Sequence, residues 1–131
     1  MDPAAKILIA DRNRHVRELL RRELTAEGYR VVVAKDGREL LELLAGPEAP
    51  DLLILDLEVP YLDEVALWNR LKGQEPAIPV LIHTFGPEDR GPQPGAPAVS
   101  FLEKRGDTNH LKAAVVDAIT RTSAAGPGKE V

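Results

Sequence analysis

The chain has 131 residues, of which 44% are apolar, 29% charged and 4% aromatic, with a formal net charge of −4 and no cysteine. That length suits one domain around one core, built from Leu, Val, Ile and Ala because aromatic residues are scarce. Disulfides, thiolate metal sites and thiol catalysis are excluded, a general affinity for DNA or anionic membranes is disfavoured, and no run approaches the roughly 20 apolar residues of a membrane span.

Apolar runs and amphipathic segments alternate along the chain, the sequence form of a doubly wound α/β sheet. Lys6–Ala10 predicts a strand that stops at Asp11. Val16, Leu19, Leu20 and Leu24 then recur at helical spacing, up to Gly28, which suits a left-handed cap. Asp11 is itself a candidate cap for this helix. The valine-rich stretch Tyr29–Ala34 predicts the second strand. Asp36 and Glu39 form an Asp-x-x-Glu cap ahead of Leu40, Leu41 and Leu44, and Gly46-Pro47 ends that helix. Leu52–Leu55 predicts a third strand, ending at Asp56; like the first it is continuous rather than alternating, as strands covered on both faces are. Val65, Trp68 and Leu71 mark a third helix, with Trp68 in or near the core.

Val80–His83, before Thr84, and Val99–Glu103, before Lys104, predict the last two strands. Between them, seven of the twelve residues from Gly86 to Pro97 are Gly or Pro. Each interior proline costs a helix about 3 kcal/mol and each glycine about 1. A loop is expected there, with at most a short turn near Glu88-Asp89-Arg90. Asp107 or Thr108 caps the final helix, whose stripe is Leu111, Ala114, Val115, Ala118 and Ile119. One domain over 1–122 and a disordered tail over 123–131 are expected.

In an open parallel sheet the carboxyl ends of the strands share one edge, where such folds place their sites. Asp11, Asp56, Thr84 and Lys104 would meet there, with Arg12 beside the first of them. His15, His83 and His110 lie on three separate elements without ligand spacing and are read as structural or solvated. Arg14, Arg17 and Arg21 fall at i, i+3 and i+7, a solvated face near Glu18 or, alternatively, a docking surface for an acidic partner. Asp11–His15 holds no Gly, Ser or Thr, which sets aside a phosphate-cradling loop and with it a small-ligand binder or enzyme of that type.

Five features in order carry a resemblance: an acidic turn at Asp11, the segment Asp51–Pro60 with a proline four residues after Asp56, a hydroxyl at Thr84, an aromatic at Phe101 and a lysine at Lys104. With these the chain, from Lys6 to Arg121, resembles the receiver domain of bacterial two-component response regulators. The resemblance implies a five-stranded parallel sheet of order 2-1-3-4-5, and the Gly/Pro-rich loop leaves its fourth helix short or replaced. It implies Asp56 as phosphoacceptor, Lys104 as its partner, Thr84 as the hydroxyl that contacts the phosphoryl group, and Phe101 as the aromatic that turns inward with Thr84. Asp11, Asp56 and the backbone carbonyl of Glu58 would hold a magnesium ion. A sensor histidine kinase or other signalling protein is the implied partner, without direct nucleic-acid or membrane contact. The reading is a stand-alone, cytoplasmic response-regulator receiver in a phosphorelay, not an enzyme, with the signal leaving through binding.

Arg12 departs from that pattern, since the family usually has a second acid there. A guanidinium about 4 Å from a divalent ion repels it by roughly 8 kcal/mol at an effective dielectric near 20, against about 4 kcal/mol for a whole millimolar metal site. Pointing inward, Arg12 displaces magnesium; it can pair instead with Asp56, Asp11 or Glu58, replacing the metal's charge, or swing to solvent on its flexible stem. Phe85 stands where the family usually has a small residue and should crowd access to the pocket. Arg105 stands where the family usually has a cis-proline, so this bond is expected to be trans, with Lys104 displaced as the consequence. These departures, with the missing fourth helix, favour the alternative reading: a phosphorylation-independent pseudo-receiver that acts as a protein–protein interaction module.

Overall fold

The computed structural model describes residues 4–85 and 99–124. Within them the chain order is β1 (Lys6–Ala10), α1 (Arg14–Ala26), β2 (Arg30–Ala34), α2 (Gly37–Leu44), β3 (Leu52–Leu55), α3 (Glu64–Lys72), β4 (Val80–Thr84), β5 (Val99–Glu103) and α4 (Asn109–Ala124). The Gly/Pro-rich stretch 86–97, and with it the expected loss of a helix, lies outside the described residues. The final helix runs two residues past the expected boundary at 122, and 125–131 lie outside the described residues.

All four strand pairings are parallel and the sheet order is β2-β1-β3-β4-β5, as the sequence predicts. Ile7–Ala10 of β1 and Leu52–Leu55 of β3 are buried without a break, which is why these side chains are apolar at every position, with Lys6 at the part-exposed start of β1. One face packs Leu8, Ala34, Leu53 and Leu55 against Leu40 and Leu44 of α2 and Leu67, Trp68 and Leu71 of α3. The other packs Ile7, Ile9, Leu52 and Ile54 against Leu20 and Leu24 of α1 and Leu111, Val115 and Ala118 of α4.

The helix ends follow local chemistry. Asn13, not Asp11, caps α1: its side chain accepts from the amides of His15 and Val16. Asp36 accepts from the Glu39 amide while Glu39 accepts from the Lys35 amide, so the capping arrangement closes one residue further back than a strict box. Gly28, at φ +101°, ends α1 in the left-handed conformation. The α3 stripe differs from expectation, since Val65 is exposed and Leu67 takes its place. Positions 65, 68 and 71 drift backwards on a helix, so the first and last lie about 120° apart, whereas Leu67 and Leu71 share a face. No helix among the described residues is long and apolar enough to cross a membrane.

Candidate functional site

The chain leaves β1 toward β2 on one side and β3 on the other, so a crevice opens at the carboxyl ends of β1 and β3. Asp11 and Asp56 follow these strands. The Asp56 amide donates to the Ala10 carbonyl at 2.9 Å and the Asp11 amide to Ala34 at 3.4 Å, which ties both residues to the sheet. Both are nearly fully buried, at 2% and 4% exposure. Lys104 comes from β5, two strands beyond β3. Adjacent strands lie about 4.8 Å apart, so only a long side chain crosses to the crevice. Its ammonium reaches Asp11 Oδ2 at 3.0 Å and Asp56 Oδ2 at 3.6 Å.

The Lys104–Arg105 peptide bond is trans, yet Lys104 is not displaced. Its amide donates to the Thr84 carbonyl at 2.6 Å, which continues the β4–β5 ladder, so sheet register rather than the following residue fixes where it starts.

Arg12 lies across the mouth of the site, between Asp56 and Glu58. Its Nε lies 3.5 Å from Asp56 Oδ2, and its terminal nitrogen donates to Glu58 Oε1 at 2.6 Å. Its backbone amide also donates to Asp56 Oδ2, at 3.2 Å. The hydrogen bond to Glu58, then the charge of Asp56, raises the guanidinium above its ordinary value. Glu58 is exposed, so this pair forms the rim of the site and the two aspartates its floor. The remaining carboxylate oxygens are also engaged: Asp11 Oδ1 accepts from the Asn13 amide at 2.8 Å, and Asp56 Oδ1 from the Glu58 amide at 2.9 Å.

Thr84 is half-buried at the end of β4, and among the described residues its hydroxyl reaches the Phe85 carbonyl alone, at 3.5 Å. Phe85 is exposed, so its ring does not fill the floor; it stands at the rim with its centroid 4.9 Å from the Lys104 ammonium. Phe101 is half-buried against the α2–α3 core and contributes no polar contact.

Sequence reasoning missed two residues that shape the β1–α1 turn. Asn13 fixes Asp11 through its amide and caps the helix, and Asn directly before an amphipathic run was the available signal. Arg17 donates to the Asp11 backbone carbonyl at 2.8 Å, which takes it out of the solvated arginine face. Nothing local in sequence marks a contact six residues back. Arg21 pairs with Glu18 at 3.5 Å, as expected of a solvated pair.

His83 is buried beside this site. Burial first, then the charges of Lys104 and His110, lowers its imidazole to about 4 from 6.5, with Asp56 pulling the other way. The unfolded chain therefore takes up a proton near pH 6.5 that the folded protein refuses until about pH 4. Stability is full above this window and is lost as the pH falls through it, by up to about 3 kcal/mol from this group. A His83→Gln variant should show a flatter urea-unfolding profile between these pH values; an unchanged slope would assign the loss to other groups.

Comparison with known proteins places the fold in a family. The family model described as response regulator receiver domain matches residues 7–116. Response regulator MprA of Mycobacterium tuberculosis is 41% identical over 81 residues, 62% of this chain and 35% of MprA. MprA of Mycolicibacterium vanbaalenii is 42% identical over 79 residues, 60% of this chain and 34% of that protein. The chain thus spans about a third of the length of these curated relatives. Among solved structures, response regulator TrrA of Thermotoga maritima in complex with Mg2+–BeF superposes with a TM-score of 0.71 at 26% identity, covering 87% of this chain and 98% of that one. The complex of histidine kinase ThkA with TrrA gives 0.68 at 32% identity, covering 87% and 97%. By its sheet order, its paired aspartates facing a lysine, and the match over residues 7–116, the chain belongs to the response regulator receiver domain family of two-component signalling.

Proposed function

We propose that this chain is a phosphorelay receiver whose acidic pocket is balanced by Arg12 instead of a divalent metal. One observation carries the reading: Arg12 bridges Asp56 and Glu58 while Lys104 bridges Asp11 and Asp56. Arg12 and Lys104 together offset two of the three negative charges of Asp11, Asp56 and Glu58 without a metal. Every oxygen of Asp11 and Asp56 already accepts from a protein donor, and a guanidinium stands where a metal-binding acid is usual. Asp11, Asp56 and the Glu58 carbonyl so arranged do not suit magnesium, and no step is routed through it.

The chemistry then falls to the chain's own residues. A carboxylate oxygen of Asp56 attacks the phosphorus of a phosphohistidine; the O–P bond forms, the N–P bond breaks, and the imidazole leaves with its electron pair. Negative charge spreads over the phosphoryl oxygens, and Lys104 and Arg12 are the cations placed to meet it. Arg12 exchanges Glu58 for those oxygens, a trade its planar fork suits. Thr84 supplies a hydroxyl at the adjacent strand end, and Phe101 lies on the neighbouring strand opposite Ile82. The kinase that donates the group is a sensor histidine kinase, by likeness to TrrA in its complex with ThkA.

The second reading is the phosphorylation-independent pseudo-receiver. It is favoured by the Phe85 ring over Lys104 at the rim and by the 4% exposure of Asp56.

Intact mass after incubation with a small-molecule phosphodonor, with and without magnesium, separates the two. A phosphoryl-sized increase without magnesium, lost in Asp56→Asn, is the expected result. An increase that requires magnesium would overturn the arginine-balanced pocket, and no increase from either the donor or a kinase would favour the pseudo-receiver. Arg12→Asp should raise magnesium affinity by about tenfold or more, read by titration. No gain over the parent would mean that Arg12 does not govern the site.

A further inference from the structure

A second pocket lies beyond the acidic site, between α1 and the turn joining β5 to α4. Its volume is about 300 Å3, at the small end of the range for small-molecule sites. Val16, Leu19, Leu20 and Leu111 give it an apolar wall, and the imidazoles of His83 and His110 line it. Among the described residues neither ring's Nδ1 has a hydrogen-bond partner, although both atoms are buried. Buried polar atoms are rarely left so unless something absent from the structure satisfies them.

His110 Nε2 lies 2.9 Å from the Glu103 carbonyl, an acceptor, so this nitrogen carries the hydrogen. In the neutral ring Nδ1 is then an acceptor that calls for a donor. Two cationic residues, Lys104 and Arg105, also line the pocket. Lys104 is committed to Asp11 and Asp56. Arg105 is exposed and has no acidic partner among the described residues. Asp107, the acid of the lining, has one oxygen engaged by the Asn109 amide.

We propose that this pocket binds a small hydroxylated organic carboxylate, with its apolar body on the leucine wall, its carboxylate toward Arg105 and its hydroxyl toward the imidazoles. Lys104 lines this pocket and also closes the acidic site, so an occupant would touch the residue that holds Asp11 and Asp56. The site goes beyond the receiver reading and does not depend on whether Asp56 is phosphorylated.

The test uses 3-hydroxy-2-naphthoate as probe and 2-naphthol, which lacks the carboxylate, as its comparison. Binding is followed by fluorescence and by the imidazole resonances of His83 and His110. Saturable binding that shifts both resonances is expected, about fivefold tighter for the acid, and Arg105→Gln should erase that preference. Leu19→Trp should weaken both compounds by filling the pocket. Because Arg105 is exposed, its variant tests the proposal even if Leu19→Trp folds poorly. Equal binding of the two compounds by the parent, unshifted histidines, or a preference that survives Arg105→Gln would each overturn it.

Discussion

Replacing Lys104 with methionine should destabilise the protein by about 3 kcal/mol at pH 7, measured by urea unfolding. Methionine keeps most of the length and apolar stem but removes the charge. Asp56 retains Arg12 as a counter-ion in this variant, whereas Asp11 loses its cation and, among the described residues, keeps the Asn13 amide alone on its carboxylate. A buried charge left without its partner costs more than the pair contributed, and this asymmetry sets the size of the effect. Adding Asp11→Asn should return about 1 to 2 kcal/mol, because the stranded charge is removed with its partner. If the double variant is as unstable as the sum of the single ones, Lys104 acts through packing and not through Asp11. Arg12→Met should cost clearly less than Lys104→Met, since its pairs lie nearer to solvent.

Gly37→Ala should be comparably damaging, by about 3 kcal/mol or a fall in Tm on the order of 10 °C. Gly37 opens α2, and its amide donates to the Pro60 carbonyl at 2.8 Å. A Cβ at this position would fall on the Tyr61 carbonyl oxygen and lie 2.5 Å from Leu62 Cα. These are backbone atoms that cannot rotate away. Tyr61 is itself held at φ +58°, with the Arg38 guanidinium 3.9 Å from its ring centroid. The turn that must move follows directly from Glu58, the rim partner of Arg12. Gly73→Ala is the control: at φ −85°, with the nearest atom 3.7 Å from the added methyl, it should be neutral or slightly stabilising. Equal thermal stability of the two variants would show that the turn gives way easily.

What could be read from sequence follows from what each feature depends on. β1 and β3 announce themselves because both faces are covered, so nearly every side chain is apolar whatever the details of packing. Asp11, Asp56 and Lys104 come within reach of one another because parallel topology brings strand ends to one edge. The rotation of α3 was not legible, because Val65 and Leu67 are both apolar and tertiary contact chooses between them. The direction of Arg12 was open for a similar reason: two acids lie within reach of a flexible stem, and only their positions in space select both. The expectation for Lys104 failed in an instructive way. The residue that follows says little about where Lys104 starts, because the bond that sets its position runs sideways to Thr84.

The sheet order carries one further consequence. β5 is an edge strand with β4 as its neighbour, the kind of strand that ordinarily frays first. Here its last residue is followed by a side chain that reaches over β4 and anchors on the residues that follow β1 and the central strand, β3. Lys104 is thus a guy-rope as well as a counter-ion. Any change of charge on Asp56 alters the tension in that line, and the outermost strand is where the slack or the pull is felt.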